Sequence, residues 1–496
     1  MKTLIKNSIK EGIRYIKKPI SLLPNYHKQK YNSVLNLLSI SGLESNETPG
    51  LETDLKRVRT LLDFKERLTA ARELVRRYPK HPLSHLELAK WLYKQNDLFF
   101  FDHLDHYGEL RKEWLEATGL GELGLEFIWP SMVVGSLGNH LAIEGLLWAN
   151  RTGLRTERKP VLLLSQNDRL RNPALFSYFE PYICVIRNKE SIASLRRLEA
   201  LLTLPLGFCL DLDEGCYPLD LAANRVESER KDQDMDPALF TLNDNHREKG
   251  MQVLRDLGLP RDAWYVALHV REPGYRGETR TNTMQNLRNA DPKDYLKAIK
   301  SITNAGGWVF RIGDSSMTPL PPMPQVIDYA HHSVNSDWFD VFLGATCRFF
   351  IGTGSGPMHL PQFFGRPLIF TNYPRGVEYL VLRKQDLYLP RLLRRKSNKE
   401  FLTFKEYMSP QTSMIGTEEK YNDEDLEWVE NTPDELEAVT IEMLERTAKD
   451  TVPKQFDDDL QKRFKAVAEV KYAGRPVKAF APISRDFISQ HADLLE

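Results

Sequence analysis

From Phe127 to Thr371 the chain alternates short apolar runs with helix-length stretches, and this alternation constrains the fold more than any other feature. FIWPSMVV leads into the turn GSLGNH and the helical LAIEGLLWANRTG; VLLLSQ (161–166), YICVIR (182–187) and PLGFCL (205–210) continue the pattern. The second half repeats it with WYVALHV (264–270), KDYLKAIKSITNA, WVFRIG, QVIDYA, DWFDVFLGA, CRFFIG and PLIFT. Strands separated by ten or more helical residues imply parallel strands joined by right-handed crossovers, and so an α/β fold. The polar stretch 211–260 reads as the connection between two such lobes, 127–255 and 260–450.

Composition narrows the class. The 496 residues fit about three domains, or one two-lobed enzyme with an extension. With 41% hydrophobic and 27% charged residues, the chain has enough apolar surface for a core, unlike a disordered chain. Sixty-eight basic residues balance 68 acidic ones, so a global nucleic-acid-binding surface is not expected. No apolar run approaches the ~20 residues of a spanning helix. Cys184, Cys209, Cys216 and Cys347 form no CxxC pair, which points to a reducing, cytoplasmic setting without a structural zinc.

The flanks are helical. Residues 1–22 carry Leu4, Ile5, Ile9, Ile13 and Ile16 at helical spacing, with Lys2, Lys6, Lys10, Arg14, Lys17 and Lys18 on the other faces. Such a basic amphipathic helix can lie in an anionic membrane interface, peripheral to an inner membrane; a surface helix packed on the body is the competing reading. Over 51–120, the segment ARELVRRYPKHPLSHLELAKWLYKQND resembles part of a tetratricopeptide-type helix–turn–helix, with Tyr78 to Pro82 as its turn. Asp102, His103, Asp105 and His106 read as a solvated face rather than a metal site, for want of a third ligand type nearby. RLLRRK (391–396) reads as a solvated basic face or a second anionic contact. NTPDELEAVTIEML (431–444) is a capped helix, and 451–496 holds a further helix and a tail.

Ligands of open α/β sheets bind beyond the C-terminal strand ends. His269, Arg271, Arg311, Asp314 and the loop 352–359 all fall there. A guanidinium on one strand end, facing a glycine-rich helix start on another, is a phosphate clamp: Arg271 on one side, the backbone of Thr353, Gly354, Ser355 and Gly356 with His359 on the other. Arg311 and Asp314 are candidates for the nucleoside. In the first lobe Gly135 and Gly138 permit a tight turn, and Asn139 and His140 follow it. Asp211-Leu212-Asp213 imitates a metal-binding Asp-x-Asp, but such tripeptides are common by chance, a strand-end turn and helix cap is the better reading, and no metal is expected.

These residues resemble known families. Gly135-Ser136-Leu137-Gly138-Asn139-His140 resembles the glycine turn that opens α-1,2-fucosyltransferases, and His269-Val270-Arg271-Glu272 resembles their diphosphate motif, with Glu272 in place of its second arginine. Thr353-Gly354-Ser355-Gly356-Pro357-Met358-His359 is similar to the diphosphate loop of lipopolysaccharide heptosyltransferases, without that loop's leading acid. The whole of 127–375 resembles a group of bacterial glycosyltransferases associated with surface polysaccharides. The resemblance implies a GT-B fold, two Rossmann-like domains facing a cleft, and a metal-independent, inverting transfer from a nucleotide-sugar to a glycan or lipid-linked acceptor. A guanosine nucleotide is favoured over others, and no cofactor is implied. It gives Arg271 and the 353–356 backbone the leaving diphosphate, with His359 assisting and His269 orienting the loop. His140 is the expected base, with Asp168 behind it. A sugar-nucleotide epimerase of the same shape, or an inactive fold serving as a helical adaptor, remains open at this point.

Overall fold

The computed structural model describes residues 50–117, 121, 124–189, 192, 202–273, 287–373, 375–448 and 458–496. The basic N-terminal helix and the loop 274–286 lie outside them. The described residues divide into two compact units, one within Met1–Arg171 and Phe176–Ala222, the other Asn172–Leu175 with residues from Ala223 onward.

The first unit joins four helices and a small sheet. Helices α1 (Leu51–Thr60), α2 (Phe64–Arg77), α3 (Pro82–Lys94) and α4 (Phe100–Ala117) pack in sequence as antiparallel neighbours. The turn expected at Tyr78 to Pro82 is present. Pro82 occupies the first turn of α3, where its missing N–H is harmless, and the imidazole Nδ1 of His81 accepts the N–H of Leu83 as the cap. Strand β1 (Leu125–Ile128) is followed by helix α5 (His140–Arg151), then β2 (Lys159–Leu163) and β3 (Cys184–Ile186). These form a parallel sheet in the order β1-β2-β3. Leu115 of α4 packs into the core beneath it with Phe127, Val161 and Leu163, so the helical region and the small sheet share one core.

PLGFCL, expected as a further parallel strand, instead enters an antiparallel hairpin, β4 (Cys209–Leu212) with β5 (Gly215–Pro218). Asp213-Glu214 makes the turn, and the left-handed Gly215 (φ 143°) lets the chain reverse. Cys209 and Cys216 are buried free thiols whose sulfurs approach to 3.2 Å across the hairpin. Helix α6 (Leu219–Asp232) carries the chain from the first unit into the second.

The second unit is built on one all-parallel sheet. After α7 (Asp244–Asp256) come β6 (Tyr265–His269), α8 (Leu296–Asn304), β7 (Trp308–Arg311), β8 (Val326–Ile327), α9 (Asp337–Thr346), β9 (Phe350–Thr353), α10 (His359–Phe363), β10 (Leu368–Thr371) and β11 (Leu387–Tyr388). The six strands lie in the order β11-β10-β9-β6-β7-β8, every pair parallel. The chain winds outward from β6 through β7 to β8, then restarts beside β6 and winds the other way through β9 to β11. This is the doubly wound order, and its reversal point lies between β6 and β9. Residues of β6, β9 and β10 are buried throughout, because helices cover both faces of a parallel sheet.

The helices close on that sheet by small-residue contacts and caps. A side chain at Gly250 of α7 would run into the Phe342 ring of α9, so glycine sets that helix separation. An antiparallel pair, β12 (Leu392–Arg395) and β13 (Leu426–Val429), precedes α11 (Pro433–Arg446). Thr432 and Glu435 form a reciprocal capping box at the start of α11, as the Thr-Pro-Asp-Glu sequence leads one to expect. Helix α11 packs along α8. No helix among the described residues is long and apolar enough to cross a membrane.

Candidate functional site

The reversal point of the sheet gathers two of the loops singled out from the sequence. His269, the last residue of β6, stands opposite Gly352 of β9. Two residues on, the main-chain N–H of Arg271 donates to Oγ1 of Thr353 at 2.9 Å. The loop of Arg271 is held on its other side too. Its carbonyl accepts the N–H of Ala290 at 3.0 Å, and its guanidinium bonds the side chain of Asn289. The half-buried Arg271 is therefore fixed at its backbone and at its side chain, beside the glycine-rich loop.

The residues around this point sort into supports and edge groups. His269 is buried. Its Nδ1–H donates to the carbonyl of Ile312 at 3.0 Å, tying the end of β6 to that of β7. That leaves Nε2 as a lone-pair acceptor, buried and without a partner among the described residues. Burial first, and then the nearby guanidinium groups of Arg311 and Arg271, push its pKa down to about 4. At neutral pH it is an uncharged brace, too weak a base to take a proton in the transition state. His269 thus braces two strand ends, a positioning contact and not a catalytic one.

Arg311 departs further from expectation. Its side chain is 0% exposed and pairs with Glu272, and more distantly with Asp328. Glu272 in turn accepts the N–H of Thr318 at 3.0 Å. A guanidinium so enclosed between two carboxylates does not reach a nucleoside, and Arg311 is a structural crosslink under the site. The same pair explains Glu272, the departure from the fucosyltransferase-like pattern: an acid is needed there to neutralise Arg311. Asp314 remains half-buried at the end of β7, where its carboxylate closes a turn by accepting the N–H of Ser316.

The glycine-rich loop also differs from the expected cradle. Gly354 is buried, and a Cβ built there would lie 1.4 Å from the Tyr373 ring. Glycine is required at this position to admit Tyr373, not a ligand. Ser355, Gly356 and His359 are only half-buried. The expected helix start is a 3-10 turn, Gly356–Met358, leading into the five-residue α10, too short to sum a strong dipole. The Nδ1–H of His359 donates to Oε1 of Gln362 at 2.7 Å, which fixes the ring. Arg271, Asp314, Ser355, Gly356 and His359 keep part of their surface exposed; His269, Arg311, Thr353 and Gly354 are buried.

A polar network that sequence reading missed anchors the same edge. Asn372, at the end of β10, adopts a left-handed backbone (φ 51°). It exchanges two hydrogen bonds with Asn431, 2.9 and 3.0 Å, donates to Tyr295 and accepts from Nε of Arg391. Arg391 also bonds the carbonyls of Leu287 and Asn289. Arg391 thereby positions Asn289, which bonds Arg271. Within the basic stretch 391–396, Arg391 is buried, while Arg394 and Arg395 pair with Glu427 and Glu406. The only hint in the sequence was an Asn following a strand, a residue type that tolerates the left-handed region.

In the first unit the expected acceptor turn is closed on itself. The amide of Asn139 donates to the carbonyl of Ser131 at 2.9 Å and accepts from Ser136 Oγ, while a Cβ at Gly135 would strike that same carbonyl at 2.5 Å. Gly138 lies in the 3-10 turn Leu137–Asn139 that leads into α5. His140, expected as the base, is 0% exposed, with its ring against Phe179 and Nδ1 3.2 Å from the carbonyl of Leu137. An imidazole enclosed in this way bolts the start of α5 and does not meet an acceptor hydroxyl. Asp168 keeps a half-buried carboxylate beyond β2, accepting the N–H of Ser165.

The remaining acidic and histidine clusters are structural. Asp211 pairs with Arg111 at 2.6 Å, and Asp213 bonds the N–H and hydroxyl of Thr156, so the two carboxylates serve separate partners. Asp102 and His106 are exposed and His103 and Asp105 half-buried, as a solvated face requires; on it Nδ1 of His103 lies 3.1 Å from that of His85, and the His106 ring stacks on His85. Among the described residues no group of three or more His, Cys, Asp or Glu is gathered as a metal site.

No protein-family model and no curated protein matches the chain. Among solved structures the chain is similar to the bacterial iron-containing dodecameric glycosyltransferase TibC from enterotoxigenic E. coli H10407, with 16% identity and a TM-score of 0.28. That match covers 50% of this chain and 57% of the other, little more than half its length. The reading of the site therefore rests on its own geometry.

Proposed function

We propose that this chain is a glycosyltransferase that uses a nucleotide-sugar donor, bound at the reversal point of its six-stranded sheet. The observation that carries the reading is the hydrogen bond from the Arg271 N–H to Thr353. It holds a cationic loop and a glycine-rich loop side by side, although the two are some eighty residues apart in the chain. A diphosphate leaving group develops negative charge as the bond to the sugar breaks, and fixed cations and N–H groups at that point lower the barrier. Arg271 supplies the cation, Ser355 and the Gly356 N–H supply donors, and His359 assists from the same loop. Asp314 is suited to a ribose hydroxyl. The resemblance to GT-B transferases of surface polysaccharides supports an inverting, metal-independent reaction, a glycan or lipid-linked acceptor and a guanosine nucleotide.

The test is a thermal-shift screen of the full chain against GDP-, UDP-, ADP- and CMP-sugars. A donor at a hundredfold excess over its dissociation constant stabilises by about 2.7 kcal/mol. One nucleotide class should raise the melting temperature in the native chain and much less in Arg271→Ala. No shift with any of the four removes the transferase reading; a shift that Arg271→Ala leaves intact moves the donor site elsewhere. Membrane recruitment through residues 1–20 is a separate part of the proposal, read by co-sedimentation with anionic liposomes with and without that segment.

A further inference from the structure

Four of the chain's twelve histidines fall between residues 81 and 106, and three of them are in ring contact where α3 packs on α4. Their partners assign their protons. Nε2–H of His85 donates to the carbonyl of Pro79 at 2.9 Å, so its Nδ1 is a lone pair, and that lone pair accepts Nδ1–H of His103 at 3.1 Å. His81, at the cap of α3, spends its own Nδ1 lone pair on the N–H of Leu83 at 3.2 Å. His106 donates Nδ1–H to the carbonyl of Asp102 and lays its ring on His85, with ring centres 5.2 Å apart. Both imidazoles at the start of α3 therefore already use the nitrogen that would take a proton.

A proton on Nδ1 of His85 would face Nδ1–H of His103, and one on Nδ1 of His81 would face the N–H of Leu83. Either breaks the bond that holds α3 in place. Protons on Nε2 of His103 and His106 break no bond, but both charges then lie beside His85 and repel each other. The surroundings act in the same direction. Burial pushes His81 down to about 4. Burial also holds His85 and His103 below their ordinary value; His106 lowers both further, and His85 lowers His103. The opposing pulls are the bond to Pro79 on His85, and Asp102 and Asp97 on His103. Toward His81, α4 turns Tyr107 and Arg111, and neither neutralises an imidazolium: burial keeps the Tyr107 hydroxyl protonated, and Arg111 is itself a cation. On α1 and α2, Asp54 is held by Arg77 and the Tyr78 hydroxyl.

We propose that this histidine cluster is an acid-operated latch, neutral and closed at physiological pH, whose protonation in mild acid frees the start of α3 from its cap and from α4. Opening uncovers Leu86, Leu88, Trp91 and Leu92, apolar residues that α3 otherwise keeps buried. The closed fold refuses protons that the open segment accepts near pH 6.5, so the latch is at full strength above that value and weakens as pH falls below it. The device does not depend on the proposed donor site.

The experiment follows backbone hydrogen exchange of the full chain by mass spectrometry, corrected for the intrinsic rate, at about pH 7 and about pH 5. With an open-state value near 6.5 and a closed one of about 4, His81 alone should speed exchange in peptides from 82–117 roughly twentyfold, and His85 should add to it. His81→Asn combined with His85→Gln and His103→Gln keeps polar side chains that have no proton to gain. That triple variant should leave the segment equally protected at both pH values, whereas His269→Asn should leave its acid response in place. Acceleration that persists in the triple variant, or that is missing from the native chain, overturns the proposal. Should the triple variant fail to fold, exchange of the imidazole C2 hydrogens in the native chain decides, because it reads the titration of each ring. His81 and His85 staying neutral down to the pH at which α3 loses protection supports the latch. Titration of both near 6.5 with α3 still protected overturns it.

Discussion

The N–H of Arg271 and the hydroxyl oxygen of Thr353 lie 2.9 Å apart, and through that bond two strand ends of a parallel sheet share one loop geometry. Neighbouring parallel strands do not otherwise bond to each other beyond their last ladder pair, here His269 with Gly352. Thr353 is fully buried, so its hydroxyl oxygen meets the Arg271 N–H from within the fold.

Thr353→Val keeps the shape of the side chain and removes that oxygen. It should cost about 1–3 kcal/mol, the penalty of an unsatisfied buried donor. Thr353→Ser keeps the oxygen and loses one methyl group, about 0.8 kcal/mol. Urea denaturation gives the stability order native, Ser, Val, and the donor-induced thermal shift should fall in that same order. Equal effects from Ser and Val would mean that packing, not the hydrogen bond, holds the loops together.

Gly354 and Tyr373 form the second coupled pair. Because a Cβ at Gly354 would enter the Tyr373 ring, Gly354→Ala should destabilise by about 1–3 kcal/mol through overpacking. Tyr373→Leu alone leaves a cavity and also destabilises. Combined, the two changes should be less harmful than their sum, because each relieves the other. A double-mutant cycle by denaturation reads the coupling. Strict additivity would return Gly354 to the role of ligand cradle.

Asn372 separates backbone strain from hydrogen bonding. Both Asn372→Gly and Asn372→Ala keep the main-chain bond to Asn431 and lose the side-chain bonds to the Asn431 N–H, Tyr295 and Arg391, but only alanine also pays for the left-handed φ of 51°. Alanine should therefore be the worse by about 1–2 kcal/mol. Both variants loosen Arg391 and, through Asn289, Arg271, so donor affinity should fall although neither residue touches the proposed ligand. Unchanged affinity in a folded Asn372→Gly chain would show that Arg271 does not depend on this network.

Much of the second unit was legible because buried parallel strands read as unbroken apolar runs ending in glycine or polar residues, as WYVALHV and CRFFIG do. Those ends located the loops of Arg271 and Thr353. Strand order is another matter: nothing local says that β6 lies beside β9, because the pairing spans some eighty residues. Arg311 was misjudged for a related reason. An arginine at a strand end has the same sequence signature whether it faces a phosphate or a buried acid, and its partner Glu272 is distant in the chain. His140 follows a glycine turn as catalytic residues do, yet the turn folds its ring inward against Phe179. PLGFCL failed as a parallel strand because Asp213-Glu214-Gly215 supplies a hairpin turn that outweighs the period of the earlier runs.

Acid should weaken the second unit through His269. The folded chain holds this imidazole neutral, with its pKa near 4, whereas in the unfolded chain it titrates near 6.5. Between those values the unfolded state binds a proton that the folded state refuses, so stability is complete above about pH 6.5 and is lost as pH falls toward 4. The full loss is on the order of 3 kcal/mol. His269→Asn can still donate to the Ile312 carbonyl and has no proton to gain, so its stability should be flatter over that window than that of the native chain. Urea midpoints at pH 7.0, 6.0, 5.0 and 4.5 give the two curves. If they run parallel, His269 contributes nothing to the acid sensitivity, and the neutral, buried brace assigned to it is wrong.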